Sequence, residues 1–278
     1  MPEADVNGCS IYYELEGSGP AVVFIHGEDH GIEEFAHQIP YFRGQYRCLT
    51  YYRRGHGKSE SVPYGYSLWQ QTLDLAGLLD HLPIKDVAIV GLGMGNPVAV
   101  SYALHQPSRV RGLALSVWFE LKGYPLLEEQ LRVGQMSFCS KHLKMFEISR
   151  AHGRQGLMEF IERNAELFPH LPDDPALRSE LARLTASHPA QHYLHAAEFY
   201  LSLPNLLPDI HRIRCPILGI CGRHDPLPDR PELMRDVPTF TQAWIEGAAR
   251  FALMERPDEF NRVVASFLGA LRPILVVT

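Results

Sequence analysis

Residues 90–95 read V-G-L-G-M-G. They follow the apolar run D-V-A-I-V (Asp86–Val90) and open a second one, N-P-V-A-V-S-Y-A-L (Asn96–Leu104), of helical length. A strand, a glycine-dense turn and a helix is the layout of a nucleophile elbow, G-x-S-x-G, whose strained turn presents a serine hydroxyl to an acyl carbon. Here the central position is Gly93, which supplies no attacking atom. A second candidate cluster is H-P-A-Q-H-Y-L-H, with His188, His192 and His195. His188 and His192 lie one helical turn apart, a spacing that can bind a metal ion. No acidic or thiol ligand accompanies them in a recognised motif and Pro189 disturbs the turn, so solvated histidines are expected and no metal or cofactor is assigned.

The elements that must position such groups follow from composition and periodicity. The chain has 278 residues, 46% of them hydrophobic, enough for one large core with an insertion. The formal net charge is −6 and no long basic run exists, so nucleic acid is not an expected partner. The densest basic cluster, Arg53-Arg54 with Lys58, reads as structural or solvated. Apolar stretches are strand-length, so no membrane span is expected. The first residues, M-P-E-A-D-V-N-G, lack the apolar core of a signal peptide. The five scattered cysteines (Cys9, Cys48, Cys139, Cys215, Cys221) read as reduced thiols, and a cytoplasmic location is expected.

Ile11–Leu15 reads as an edge strand, Ala21–Ile25 as a buried strand and 32–42 as a helix. Arg47–Tyr51 is the next strand, before the loop R-R-G-H-G-K-S (Arg53–Ser59). Leu68, Leu75, Leu78, Leu79 and Leu82 place a helix over 67–82. Strands at 87–90 and 110–117 flank the elbow and its helix. From Phe119 to Pro208 the pattern is helical only, broken by several prolines. The alternation resumes with a strand at 216–221, a helix at 229–236, a strand at 241–245 and a final helix at 257–271. The expected fold is α/β: a mostly parallel sheet with helices on both faces, residues 1–118 and 209–278, and an inserted helical cap, residues 119–208. The apolar tail I-L-V-V-T (274–278) packs on the body or makes a dimer contact; the sequence leaves both open, and with them the oligomeric state.

Five landmarks now stand in order: His26-Gly27 after the first buried strand, R-G-H-G-K-S (Arg54–Ser59), the elbow, G-R-H-D-P-L-P (Gly222–Pro228) and E-G-A-A-R-F-A-L-M-E-R-P (Glu246–Pro257). Together they resemble the α/β-hydrolase fold superfamily, especially small cap-bearing members such as enol-lactone hydrolases and cofactor-free haloperoxidases. The resemblance covers nearly the whole chain outside the cap. It implies a Ser-His-Asp triad, and the chain departs from it at two positions. Gly93 stands for the nucleophile and Arg250 for the histidine base, while Asp225 keeps the acid. Tyr52 stands where the loop after the third strand commonly has Asp. An arginine is no ordinary base near neutral pH. The resemblance also implies an oxyanion hole from the backbone N–H groups of Met94 and Glu28.

Arg250 has two readings: an ion pair with Asp225, or a bidentate clamp on a substrate carboxylate or phenolate oriented by Asp225. Glu28 and His30, on a loop that lines the pocket by resemblance, are the candidate bases, against the simpler reading of a solvated polar loop; His224 is a weaker one. Gly93, by opening space, and Trp118, Phe119, Phe251 and Tyr52 are the candidate substrate contacts. The expected ligand is a small molecule, anionic and aromatic. The sequence therefore points to a non-hydrolytic, cofactor-independent enzyme that stabilises an enolate or phenolate: a lyase, cyclase or oxygenase of natural-product or aromatic metabolism. The alternative is a catalytically dead binding or receptor module. A decayed or engineered hydrolase fits less well, because both Ser and His positions have changed.

Overall fold

The computed structural model describes residues 2–124, 138–168, 171–226 and 231–272. Eight strands form one sheet: β1 (Glu3–Val6), β2 (Cys9–Glu16), β3 (Ala21–Ile25), β4 (Arg47–Tyr51), β5 (Val87–Leu92), β6 (Val110–Ser116), β7 (Ile217–Gly222) and β8 (Phe240–Ile245). Their order is β1-β2-β4-β3-β5-β6-β7-β8. β1, β2 and β4 pair antiparallel, and β4 through β8 run parallel. Every residue of β3, β5, β6 and β7 is buried, as continuous apolar runs covered on both faces must be. Flanking helices are α1 (Gln38–Phe42), α2 (Leu68–His81) and α3 (Gly95–His105). The helices α4 (Phe138–Arg163), α5 (Pro175–Thr185) and α6 (Ala190–Ser202) form the inserted cap, and α7 (Ala252–Glu255) and α8 (Pro257–Ala270) return to the sheet. This is the α/β architecture with a helical cap that the apolar rhythm implies.

The differences have local causes. The edge strand is β1, not Ile11–Leu15, which lies inside β2. E-A-D-V alternates exposed and buried residues, and Asn7-Gly8, both at positive φ (49° and 72°), turn it onto Cys9. That dipeptide is a strong hairpin signal. The helix expected over 32–42 is instead a 3-10 turn at Ile32–Phe35 and one turn at Gln38–Phe42. The break follows from Glu34, which turns inward: its Oε2 accepts from the Gly27 N–H (2.8 Å) and its Oε1 bonds His30 Nδ1 (2.7 Å). Within 229–236 the described part is a 3-10 turn, Pro231–Met234. Leu227–Arg230 and Ile274–Thr278 lie outside the described residues, so the end of the G-R-H-D-P-L-P motif and the apolar tail are not placed. No helix among the described residues is long and apolar enough to cross a membrane.

The parallel strands deliver their following loops to one edge of the sheet, where sites form in such folds. Two backbone positions there are held in the left-handed region: Gly93 at φ 50° and Val117 at φ 56°. For a β-branched residue this conformation is strained, and the surroundings must enforce it. Asn96, fully buried at the start of α3, supplies part of that force. Its Nδ2 donates to Ser116 O (2.7 Å) and Val117 O (2.8 Å), tying α3 to the end of β6. Asn96→Ala leaves both carbonyls without this donor and should cost about 2–3 kcal/mol. Urea unfolding checks this: a loss well under 1 kcal/mol would show that Val117 is held by other contacts.

Candidate active site

Four loops and one cap helix line a half-open pocket of about 60 Å³ at the C-terminal edge of the sheet. The loop after β3 brings Glu28, Asp29 and His30. The turn after β5 brings Gly93 and Met94, and the 3-10 turn after β6 brings Glu120. The segment after β8 brings Arg250 and Phe251, and α6 brings Tyr200 as a roof. Gly93 closes the β5–α3 turn, its N–H donating to Ser116 O (3.0 Å) and its carbonyl accepting from Asn96 N–H (2.9 Å). A Cβ at Gly93 would meet Glu120 Oε1 at 3.6 Å and Gly27 Cα at 3.9 Å, ordinary contact distances. The space beside the turn is therefore small, and a carboxyl group borders it.

Glu120 is the residue that the sequence reading missed. It is buried, and its Oε2 has no hydrogen-bond partner among the described residues. Burial pushes its carboxyl up to about 8; Arg250 opposes that shift, and Asp225 adds to it. The available signal was its place, just past the end of a buried parallel strand, at the edge where such sheets carry their sites. Arg250 stands between two carboxylates, its Nη2 3.5 Å from Asp225 Oδ1 and its Nη1 3.9 Å from Glu120 Oε1. The structure thus joins Arg250 to Asp225 and adds a third member.

Glu28 is not the base expected of it. Arg53 Nη2 donates to its Oε2 (2.8 Å), and His56 Nε2 lies 3.5 Å from its Oε1. Burial alone would raise this carboxyl, but Arg53 and His56 outweigh it and hold it well below the usual range. What Glu28 offers the pocket is backbone, beside that of Met94. His30 lines the cavity with both ring nitrogens engaged, by Glu34 Oε1 (2.7 Å) and Thr185 Oγ1 (3.2 Å), and its ring meets Phe251 edge-on. His224 is exposed.

Two expected substrate contacts lie elsewhere. Trp118 is fully buried beneath the site, donating Nε1–H to Gln242 Oε1 (3.3 Å) and packing edge-on against Phe240. Its size and its one donor are satisfied by the core. Tyr52 lines a separate surface groove with Glu14, Glu16 and Lys58, its hydroxyl donating to Glu33 Oε1 (2.5 Å). Phe251 does line the cavity, and the Phe119 side chain lies outside the described residues. The cap histidines are not solvated: His192 and His195 are buried on the core-facing side of α6, and His188, just before that helix, is buried with its Nε2 3.2 Å from the Asp29 carbonyl. Arg53 and Arg54 are buried and structural, and Arg54 grips Asp74 through Nε (2.5 Å) and Nη2 (2.8 Å).

Comparison with known proteins bears on what this site does. Residues 22–263 match the Alpha/beta hydrolase family. The 3-oxoadipate enol-lactonase 2 of Acinetobacter baylyi is 25% identical over 256 residues, covering 90% of this chain and 88% of that protein. The putative carbamate hydrolase RutD of Azorhizobium caulinodans is 24% identical over 280 residues, covering 98% of this chain and 99% of that one. Among solved structures, the enol-lactonase from Burkholderia xenovorans superimposes with a TM-score of 0.74 at 23% identity, over 96% of this chain and 100% of that chain. These relatives are hydrolases along nearly their whole length. They overturn the expectation of a non-hydrolytic lyase, cyclase or oxygenase, and with it the alternative of a dead binding module. The changes at the elbow and base positions do not take the chain out of hydrolytic company.

The raised Glu120 carboxyl has a stability consequence. Between the ordinary carboxylate range and about 8, the folded chain holds a proton on Glu120 that the unfolded chain has released. Its contribution is intact at acid pH and is lost as pH rises through that window. Glu120→Gln should leave the melting temperature near that of wild type at pH 5 and raise it at pH 8.5, where its stability gain is on the order of a few kcal/mol at most. Thermal melts of both proteins at the two pH values decide it: equal melting temperatures at pH 8.5 would place an ordinary, ionised carboxylate there.

Proposed function

The chain belongs to the alpha/beta hydrolase family, and we propose that it hydrolyses a small carboxylic ester or lactone by direct attack of water, with Glu120 as general base. The observation that carries this reading is the buried carboxyl of Glu120 bordering the space beside Gly93, with its proton affinity moved toward neutral pH. By family resemblance that space belongs to a serine side chain and Arg250 replaces its histidine base. A water molecule beside Gly93 would take the place of the missing hydroxyl, and Glu120 the place of the missing base. The enol-lactonase and carbamate hydrolase relatives support acyl chemistry of this kind.

In the proposed reaction water oxygen bonds to the carbonyl carbon as its proton passes to Glu120. The carbonyl oxygen becomes negative and is held by the N–H groups of Glu28, in the loop after β3, and Met94, at the start of α3, where the helix field favours an anion. Collapse of the tetrahedral species breaks the acyl–oxygen bond, and Glu120 returns its proton to the departing alkoxide. The products are a carboxylic acid and an alcohol, joined in one molecule if the substrate is a lactone. Arg250 already faces two carboxylates, so a neutral substrate fits this pocket better than the anionic aromatic one expected from sequence. Arg250 then orients Glu120 and limits how far its carboxyl rises.

Two outcomes test this reading. On nitrophenyl esters of short acids and on small lactones, Glu120→Gln should lower kcat by about 100-fold or more with KM little changed. The wild-type rate should climb to a plateau above about pH 8, as Glu120 ionises; a folded Glu120→Gln that keeps wild-type kcat would overturn the assignment. Removing the opposing cation should move the same limb: Arg250→Gln should shift the midpoint of the pH–rate profile to higher pH. An unmoved midpoint would mean that Arg250 does not act through Glu120.

A further inference from the structure

Between the cap and the core lies a buried set of three side chains from three separate elements; the proposed reaction uses the Glu28 backbone but none of these side chains. Glu28 follows β3, His56 sits in the loop after β4, and His192 comes from α6 of the cap. One ligand atom from each lies within 4.8 Å of the other two. Neither ring nitrogen of His192, a fully buried residue, has a hydrogen-bond partner among the described residues. A buried imidazole with two unsatisfied nitrogens is costly unless something binds it. We propose that Glu28, His56 and His192 bind one divalent transition-metal ion of the zinc class, which clamps the cap onto the core.

The surroundings support a metal centre rather than a packed polar cluster. His56 Nδ1 lies 3.0 Å from the Arg54 carbonyl and its Nε2 3.0 Å from the Glu28 carbonyl. With its proton on Nδ1 and donated to the Arg54 carbonyl, Nε2 turns a lone pair to the Glu28 side, where the Arg53 Nη2 donor stands at a long 3.4 Å; a metal ion would take that lone pair in place of this contact. A ligating histidine fixed by a bond from its other nitrogen to a carbonyl is the usual outer-shell arrangement. Glu28 is likewise oriented: Arg53 occupies Oε2 and leaves Oε1 on the His56 side. The His188 ring stacks on His192 at 4.0 Å and holds its plane.

Two imidazoles and one carboxylate oxygen suit zinc, cobalt or nickel, and are too few and too nitrogen-rich for magnesium or calcium. Tetrahedral zinc sets neighbouring ligand atoms about 3.3 Å apart. The present spread, up to 4.8 Å, is wider and would close by side-chain rotation on binding. Arg53 is the opposing charge, its Nη2 3.4 Å from His56 Nε2; Glu28 offsets it. The sequence reading assigns no metal to the His188–His192 spacing, because the partners of His192, Glu28 and His56, are more than 130 residues away along the chain. The proposal does not rest on the hydrolytic reading, because its test reads metal and not turnover.

The test uses the full chain, stripped with a chelator and dialysed against zinc or cobalt(II) with magnesium in excess. Elemental analysis should find one zinc or cobalt per chain, and the cobalt form should show the intense visible band of a four- or five-coordinate site. His192→Gln and His56→Gln should weaken retention by at least about tenfold. His152→Gln, at an exposed position, should not change it. Stoichiometric binding that disappears in either ligand variant upholds the site. No retention by wild type, or equal retention by His192→Gln, overturns it. Should the ligand variants fail to fold, the cobalt spectrum of wild type decides alone: a weak six-coordinate band overturns the proposal.

Discussion

The buried guanidinium of Arg53 is the constraint on which the site's geometry depends. It donates to Gln71 Oε1 (2.7 Å), to the Gly27 carbonyl (2.7 Å) and to Glu28 Oε2 (2.8 Å), and it lies 5.4 Å from the Phe199 ring of the cap. A cation this deep needs its partners, here on Nη1 and Nη2, and losing one would leave an uncompensated charge. Meeting that demand fixes the turn after β3, the start of α2 and the underside of the cap against one another. It also commits the Glu28 carboxylate to the protein, so this residue meets the cavity through its backbone. The pocket loop that carries Glu28 is thus set by an ion pair with Arg53.

Two buried carboxyls border the same region and behave in opposite ways. Glu28 has a guanidinium in hydrogen-bond contact and is held ionised. Glu120 is as deeply buried, but its cation stands 3.9 Å away and is shared with Asp225. Burial penalises charge in both, and the closeness of the counter-charge decides which penalty is met. Pushing paired carboxyls apart in proton affinity is how a site acquires one group that stays ionised and another that exchanges a proton near neutral pH. The strained turn at Val117 carries Glu120 to this position three residues later, which gives the strain at the end of β6 a use.

The cap is joined to the core by polar contacts as well as by packing. Asp29 accepts from His142 Nε2 (2.9 Å) and pairs with Lys141 (3.4 Å), both on α4. His188 Nε2 bonds the Asp29 carbonyl (3.2 Å), His30 bonds Thr185, and His195 stacks on Tyr66 at 3.6 Å. Directional contacts of this kind set the height of the roof over the cavity, and with it the room left beside Gly93.

By itself the sequence determined the α/β rhythm, the inserted cap and the elbow turn, because each is written in local periodicity or in a short ordered motif; the contact of Arg250 with Asp225 was one of two readings that the family resemblance left open. The N-terminal hairpin is legible too, in Asn7-Gly8. The tertiary structure alone decided which charged groups face the cavity. Glu28 sits in the pocket loop and reads as a base until Arg53, from another loop, neutralises it. Glu120 reads as one polar residue in a connecting segment until folding buries it against Gly93 and Arg250. His192 reads as solvated until the cap turns it onto Glu28 and His56. Proton affinity and ligand sets depend on burial and on partners distant in the chain, and a one-dimensional pattern carries neither.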